Sequence, residues 1–326
     1  MTILAGSSEA SKQQNRGGVT LKPIIIIADD LTGACDTGVK FHNMGLKTRV
    51  LTSPLGVDSL LPPDVPAISV NTGTRCLSAE QAKKIVSSLL ITLRGREDFY
   101  LYKKVDSVLR GNVMAEIEGV FDALKPDFVI VASAFPENGR CIRDGVLHIR
   151  GPQGREDTVD VPMLFQGQTK RRCACIGLEV VRKGAKAVCA YAQELFEEGA
   201  TVLLADAWEQ KDLDVLAEAV AELGGRCVPV GSAGLAQSIA ARLHAEVPEA
   251  QTQEDASEAS TLVVVGTRHP ATLHQLQRLK ECADMKVYVI PAKDITQENL
   301  PAVLSRMLEE PINPQGQDGI LLTTAG

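Results

Sequence analysis

The stretch IIIIADDLTGACDTG, residues 24–38, decides the fold. Four isoleucines in a row show no polar alternation. The strand they form is therefore buried on both faces, as in a parallel sheet covered by helices. Asp29 and Asp30 follow at its carboxyl end, where ligands of open α/β sheets bind. Carboxylates in that position can orient a hydroxyl, accept its proton or hold Mg2+. Gly33 permits close backbone approach, and the N-terminus of the next helix favours anionic ligands. Service of Asp30 or Thr32 as a simple helix cap accounts for the same residues.

The same pattern recurs along the chain. Apolar runs predict strands over 23–28, 48–51, 67–70, 99–103, 128–132 and 201–205. Helical periodicity covers 78–94, 113–124, 186–198 and 213–223, and a helix over 235–243 closes the region. This alternation specifies an α/β fold with a mostly parallel sheet. A polar stretch over 246–260 reads as a linker. Beyond it, strands over 262–265, 287–290 and 320–323 alternate with helices over 271–282 and 300–308. The expected organisation is a disordered tail over 1–19, a first domain over 20–245, the linker, and an incomplete α/β domain over 261–326. A later translation start near Val19 explains the tail equally well.

Composition narrows the function classes. The net charge of −7 and an aromatic content of 4% argue against nucleic-acid binding, which calls for basic patches and stacking groups. No apolar run approaches the roughly 20 residues of a membrane span, and the first 20 residues lack the pattern of a secretory signal. A cytoplasmic protein is expected. Its 8 cysteines are mostly scattered singly, as small buried hydrophobes in a reducing compartment. Cys173 and Cys175 lack a second pair at zinc spacing, and no metal site is assigned to protein ligands alone.

Further polar clusters follow predicted strands. In YKKVDSVLRGN, residues 102–112, Lys103 and Lys104 point to opposite faces, so that one is solvated and one enters the cleft. Cations beside Asp106 suit recognition of a carboxylate or phosphate, although a salt-bridged surface loop looks the same. ASAFPENGR, residues 132–140, is a strand running into a Pro-containing loop. In NTGTR, residues 71–75, Arg75 is placed to meet an anion. VPVGSAGLA, residues 228–236, resembles a phosphate-cradling turn without Walker A spacing; tight strand–helix packing is the alternative. VVVGTRHPATLHQL, residues 263–276, offers another strand–Gly–helix turn.

DDLTGA, KKVDSVLRGN, AFPENGR and GSAGLA occur in this order, and together they resemble the four-carbon acid sugar kinase family. The resemblance implies an N-terminal domain that binds a sugar acid and a C-terminal domain that binds ATP. It implies phosphorylation of threonate, erythronate or a related tetronate at the terminal hydroxyl. Carried onto this chain, Asp30, Arg75, Lys104, Val105, Asp106 and Ser107 contact substrate, and Ser232 contacts nucleotide. Arg75 and Lys104 then hold the substrate carboxylate. Asp30 or Asp106 orients or deprotonates the attacking hydroxyl, while Mg2+ and the amides near Ser232 neutralise phosphate charge. In the family a GGDTA-type segment and a Lys-Gly-Gly-type loop follow at the nucleotide, and this sequence ends at Gly326 before either. A non-catalytic sugar-acid-binding remnant is therefore the competing expectation. A dinucleotide oxidoreductase is disfavoured, because no G-x-G-x-x-G follows the first strand. An exposed final strand edge is expected to favour pairing with a second chain.

Overall fold

The computed structural model describes residues 22–54, 65–94, 99–151, 154–244, 261–267, 270–291, 299, 301–302, 305 and 319–323. The tail over 1–19, the linker over 246–260 and most of the helix expected over 300–308 lie outside these residues. Two compact units divide the chain, Met1–Thr252 and Gln253–Gly326.

The first unit is built on β1, Ile24–Ala28, whose five residues are all buried. Parallel neighbours flank it: β3, Ala67–Asn71, on one side and β4, Tyr100–Lys104, on the other. β2, Thr48–Leu51, pairs outside β3. Beyond β4 come β11 (Cys227–Gly231), β5 (Phe128–Ala132), β10 (Ala200–Ala205) and β9 (Arg172–Ile176). All eight strands run parallel, in the order β2-β3-β1-β4-β11-β5-β10-β9. The chain leaves β1 for β2 and β3 on one side and returns to β4 on the other. That change of direction opens a crevice at the carboxyl ends of β1 and β4.

Helices cover both faces of the sheet, as the unbroken apolar strands require. On one face α1 (Leu31–Asn43) packs beside α8 (Ala233–His244), followed by α7 (Gln210–Leu223) and α6 (Ala185–Glu197). On the other, α2 (Ala79–Arg94) packs against α3 (Val113–Leu124). Gly119 makes this close approach feasible: a Cβ there would stand 2.7 Å from the Lys83 carbonyl oxygen.

One feature departs from the sequence expectation. The loop expected after β5 is largely an antiparallel sheet of β6 (Arg140–Arg143), β7 (Val146–Arg150) and β8 (Glu156–Asp160). Asp144 (φ 52°) and Gly145 (φ 72°) make the turn between β6 and β7. A short helix α4, Val161–Phe165, and another, α5, Leu178–Val181, complete the unit.

The second unit holds β12 (Thr261–Val265), α9 (Pro270–Cys282), β13 (Met285–Val289) and β14 (Gly319–Thr323). Its parallel order is β12-β14-β13. The final strand is therefore paired on both sides, and the expectation that it offers a free edge is corrected.

Candidate functional site

The carboxyl ends of β3, β1, β4 and β11 lie side by side, and residues following them wall a cleft of about 290 Å3. Asp30 is the N-cap of α1, its Oδ1 accepting the Gly33 N–H at 2.7 Å. The capping role and the cleft role coincide, because Asp30 Oδ2 accepts from Arg75 Nη1 at 2.6 Å. Asp29, 2% exposed, takes Arg75 Nε at 2.7 Å and Nη2 at 3.0 Å in a bidentate pair. Burial works against the Arg75 charge, but Asp29, Asp30 and Asp106 outweigh it and hold its pKa above the usual value. Three of the five guanidinium N–H donors are thus committed to protein carboxylates.

Lys104 is differently placed. It is 5% exposed, and its Nζ donates to the Val105 carbonyl at 2.9 Å. Among the described residues no carboxylate stands within 4.0 Å of this ammonium. Burial lowers its pKa and Lys103 adds to the effect; Asp29, Asp30 and Asp36 pull the other way without restoring it. Gly33 keeps room for it, since a Cβ there would lie 3.0 Å from Lys104 Nζ and 2.6 Å from Asp30 Oδ1.

Asp106 is clamped within its own loop. Its Oδ1 accepts from Arg110 Nη2 at 2.7 Å, and its Oδ2 accepts from Arg110 Nε at 2.9 Å. The backbone N–H groups of Val108 and Arg110 reach the same Oδ2. Burial opposes its ionisation, yet Arg110 and, more weakly, Arg75 hold its carboxyl below the usual range. Ser107 lines the cleft, whereas Val105 belongs to the core at 1% exposure. Val105 N–H donates to the Gly231 carbonyl at 2.9 Å and so ties β4 to β11.

Ser232 lines the opposite wall. Its hydroxyl donates to the Ala134 carbonyl at 2.7 Å and accepts the Gly234 N–H at 3.1 Å, and its own carbonyl accepts the Tyr102 hydroxyl at 2.5 Å. From the ASAFPENGR motif, Phe135 and Asn138 reach the cleft, but Arg140 does not line it and donates to the Asn138 carbonyl. Arg268 and His269 lie outside the described residues.

Lys103 is not solvated, contrary to the reading of alternating faces as one wet and one dry. It is fully buried and pairs with Glu116 of α3 at 2.7 Å. Sequence reasoning missed this partner, and missed Asp29 as the main holder of Arg75. Glu116 carried a readable signal, a carboxylate on the buried stripe of the apolar helix VMAEIEGVFDAL. Among the described residues no three His, Cys, Asp or Glu side chains are grouped to hold a metal ion.

Residues 24–239 match the sugar-binding N-terminal domain family. The chain belongs to that family. Among relatives of this sugar-binding domain, a D-threonate kinase from Bordetella bronchiseptica is 33% identical over 260 residues, covering 78% of this chain and 62% of the relative. A D-erythronate kinase from Heliobacterium modesticaldum is 29% identical, covering 79% of this chain and 60% of the relative. The chain thus spans about 60% of the length of these curated relatives. Their names bear out the resemblance to four-carbon acid sugar kinases drawn from the motifs.

Solved structures share the fold. A putative tRNA synthase from Salmonella typhimurium LT2 superposes with a TM-score of 0.73 at 22% identity, over 92% of this chain and 74% of that one. A domain of unknown function from B. bronchiseptica, a domain-swapped dimer with bound citrate, gives 0.57 at 28% identity, over 93% and 73%.

Proposed function

We propose that the cleft binds a four-carbon sugar acid of the threonate or erythronate type, for ATP-dependent phosphorylation at its terminal hydroxyl. One observation carries this reading: Lys104 is a buried ammonium in the cleft wall with no carboxylate within 4.0 Å among the described residues. A substrate carboxylate supplies the missing partner, and charge-assisted hydrogen bonds in a shielded site are the strong ones. Arg75, already held by Asp29 and Asp30, contributes its remaining donors and field rather than a free fork. The volume of about 290 Å3 lies at the small end of ligand sites, which suits a short polar acid. Tetronate kinases among the relatives support the substrate class, and citrate bound to the B. bronchiseptica protein supports a small carboxylic acid.

Asp30 is the better candidate to orient and deprotonate the hydroxyl. Its side chain is 26% exposed against 10% for Asp106, and the depressed pKa of Asp106 makes it the weaker base. ATP phosphates would meet the backbone around Ser232 at the start of α8. Mg2+ requires few protein ligands when phosphates supply the rest; Asp36 on the cleft wall would hold it, where it neutralises phosphate charge. The B. bronchiseptica domain-swapped dimer makes a homodimer the expected assembly.

The test is ATP consumption with a panel of tetronates, beside calorimetric binding of the same acids. Turnover supports the kinase reading in full. Binding without turnover favours the non-catalytic sugar-acid-binding alternative. A folded chain that neither binds nor turns over any tetronate rejects both.

A further inference from the structure

We propose that Lys103 and Glu116 are positioning residues, a buried ionic strut that sets the strand ends carrying the cleft side chains. Lys103 lies on the face of β4 opposite Lys104 and does not line the cleft. Its ammonium is 0% exposed and has three acceptors: Glu116 Oε2 at 2.7 Å, the Lys104 carbonyl at 2.7 Å and the Ile27 carbonyl at 3.3 Å. An ammonium has three protons to donate, so its hydrogen-bonding capacity is filled.

The acceptors are the meaningful part. Ile27 lies two residues before Asp29, and the Lys104 carbonyl lies two before Asp106. Glu116 Oε1 accepts the Thr74 hydroxyl, and Thr74 immediately precedes Arg75. The Thr74 and Thr72 hydroxyl oxygens stand 2.7 Å apart. With the Thr74 proton on Glu116, the single Thr72 proton goes either to Thr74 or to the Ala28 carbonyl 2.9 Å away, and the Thr72 backbone N–H donates to that same carbonyl at 2.9 Å. One buried network thus grips the backbone before each of Asp29, Arg75 and Asp106. Apolar side chains of similar volume commonly stabilise a core as well as a buried ion pair does. What they lack is the directional hold on specific carbonyls. The strut therefore serves geometry: it fixes Arg75 against Asp29 and keeps Lys104 aimed into the cleft.

The affinity arm of the test rests on the tetronate reading; the spectroscopic arm does not. The variant is Lys103→Met with Glu116→Leu in the full chain. The Arg75 Nε–H resonance, assigned with Arg75→Lys, reports the Asp29 pair. The expected result is a folded protein in which that resonance shifts or broadens and tetronate affinity falls roughly ten-fold or more, as small misplacements of binding groups produce. An unmoved Arg75 resonance in the folded double variant overturns the proposal, whatever happens to affinity. Should the double variant fail to fold, Thr74→Val removes one link of the network at constant shape. The same Arg75 shift is expected there, and its absence overturns the proposal. If the parent binds no tetronate, the substrate reading falls while the Arg75 resonance still decides the role of the strut.

Discussion

At the residue scale the cleft rests on an imbalance. Among the described residues Arg75 has its carboxylates and Lys104 has none within 4.0 Å. Lys104→Met should weaken tetronate binding by about 1.5–3 kcal/mol, the range for hydrogen bonds to charged groups, or ~10- to 100-fold in Kd. Calorimetry on both proteins checks this. The pH dependence has a definite sign. The folded pKa of Lys104 lies below the ordinary 10.5, so the ammonium is lost earlier than in a free lysine. Affinity should fall as pH rises through that lowered value, with proton uptake on binding in the same window. Asp106 behaves oppositely. Its folded pKa is below the ordinary 3.8, so the stability it contributes is full above that value and is lost as pH falls through the folded one. Asp106→Asn should therefore be less stable than the parent at neutral pH, and the gap should close in acid melts. If the chain is active, Asp30→Asn should cost roughly 10²-fold or more in rate as the base. A larger loss in Asp106→Asn would reverse that assignment.

At the element scale two contacts decide the packing near the site. α2 and α3 approach closely enough that any side chain at Gly119 meets backbone. Gly119→Ala should cost about 1–3 kcal/mol, as overpacking does, and should lower the thermal midpoint. The β6–β7 turn is tied to the main sheet by Asp206, which accepts the Asp144 N–H at 2.6 Å and the Gly145 N–H at 3.1 Å. Burial raises the Asp206 pKa despite those donors. A raised carboxylate pKa means the folded state holds its proton longer, so this group's contribution to stability falls as pH rises from about the unperturbed 3.8 through the folded value. Asp206→Asn should flatten that slope and cost about 1–3 kcal/mol where an N–H loses its acceptor; melts across the acidic range measure both.

These elements show what the sequence could convey. The unbroken apolar strands announced the parallel sheet, because burial on both faces leaves no alternation to misread. β8 did not announce itself: EDTVD is largely exposed and polar, and only pairing with β7 makes it a strand. The Asp144-Gly145 dipeptide is a turn signal for the neighbouring β6–β7 hairpin alone. The site was legible where polar residues follow apolar strands, as with Asp30 and Lys104. It was hidden where the partner is distant in sequence, as Glu116 is from Thr74.

At the scale of the whole molecule, the first unit carries a complete α/β sheet with its crevice, and the second a three-stranded parallel sheet. The claim that joins residues to function is that the crevice of the first unit is a tetronate site organised around Lys104. Its most direct measurement is calorimetric titration of the full chain and of Lys104→Met with D-threonate and D-erythronate at neutral pH, both proteins first shown to be folded. The account predicts saturable binding of at least one acid by the parent and a loss of ~10-fold or more in the variant. Absence of binding by the parent, or equal binding by both proteins, would contradict it.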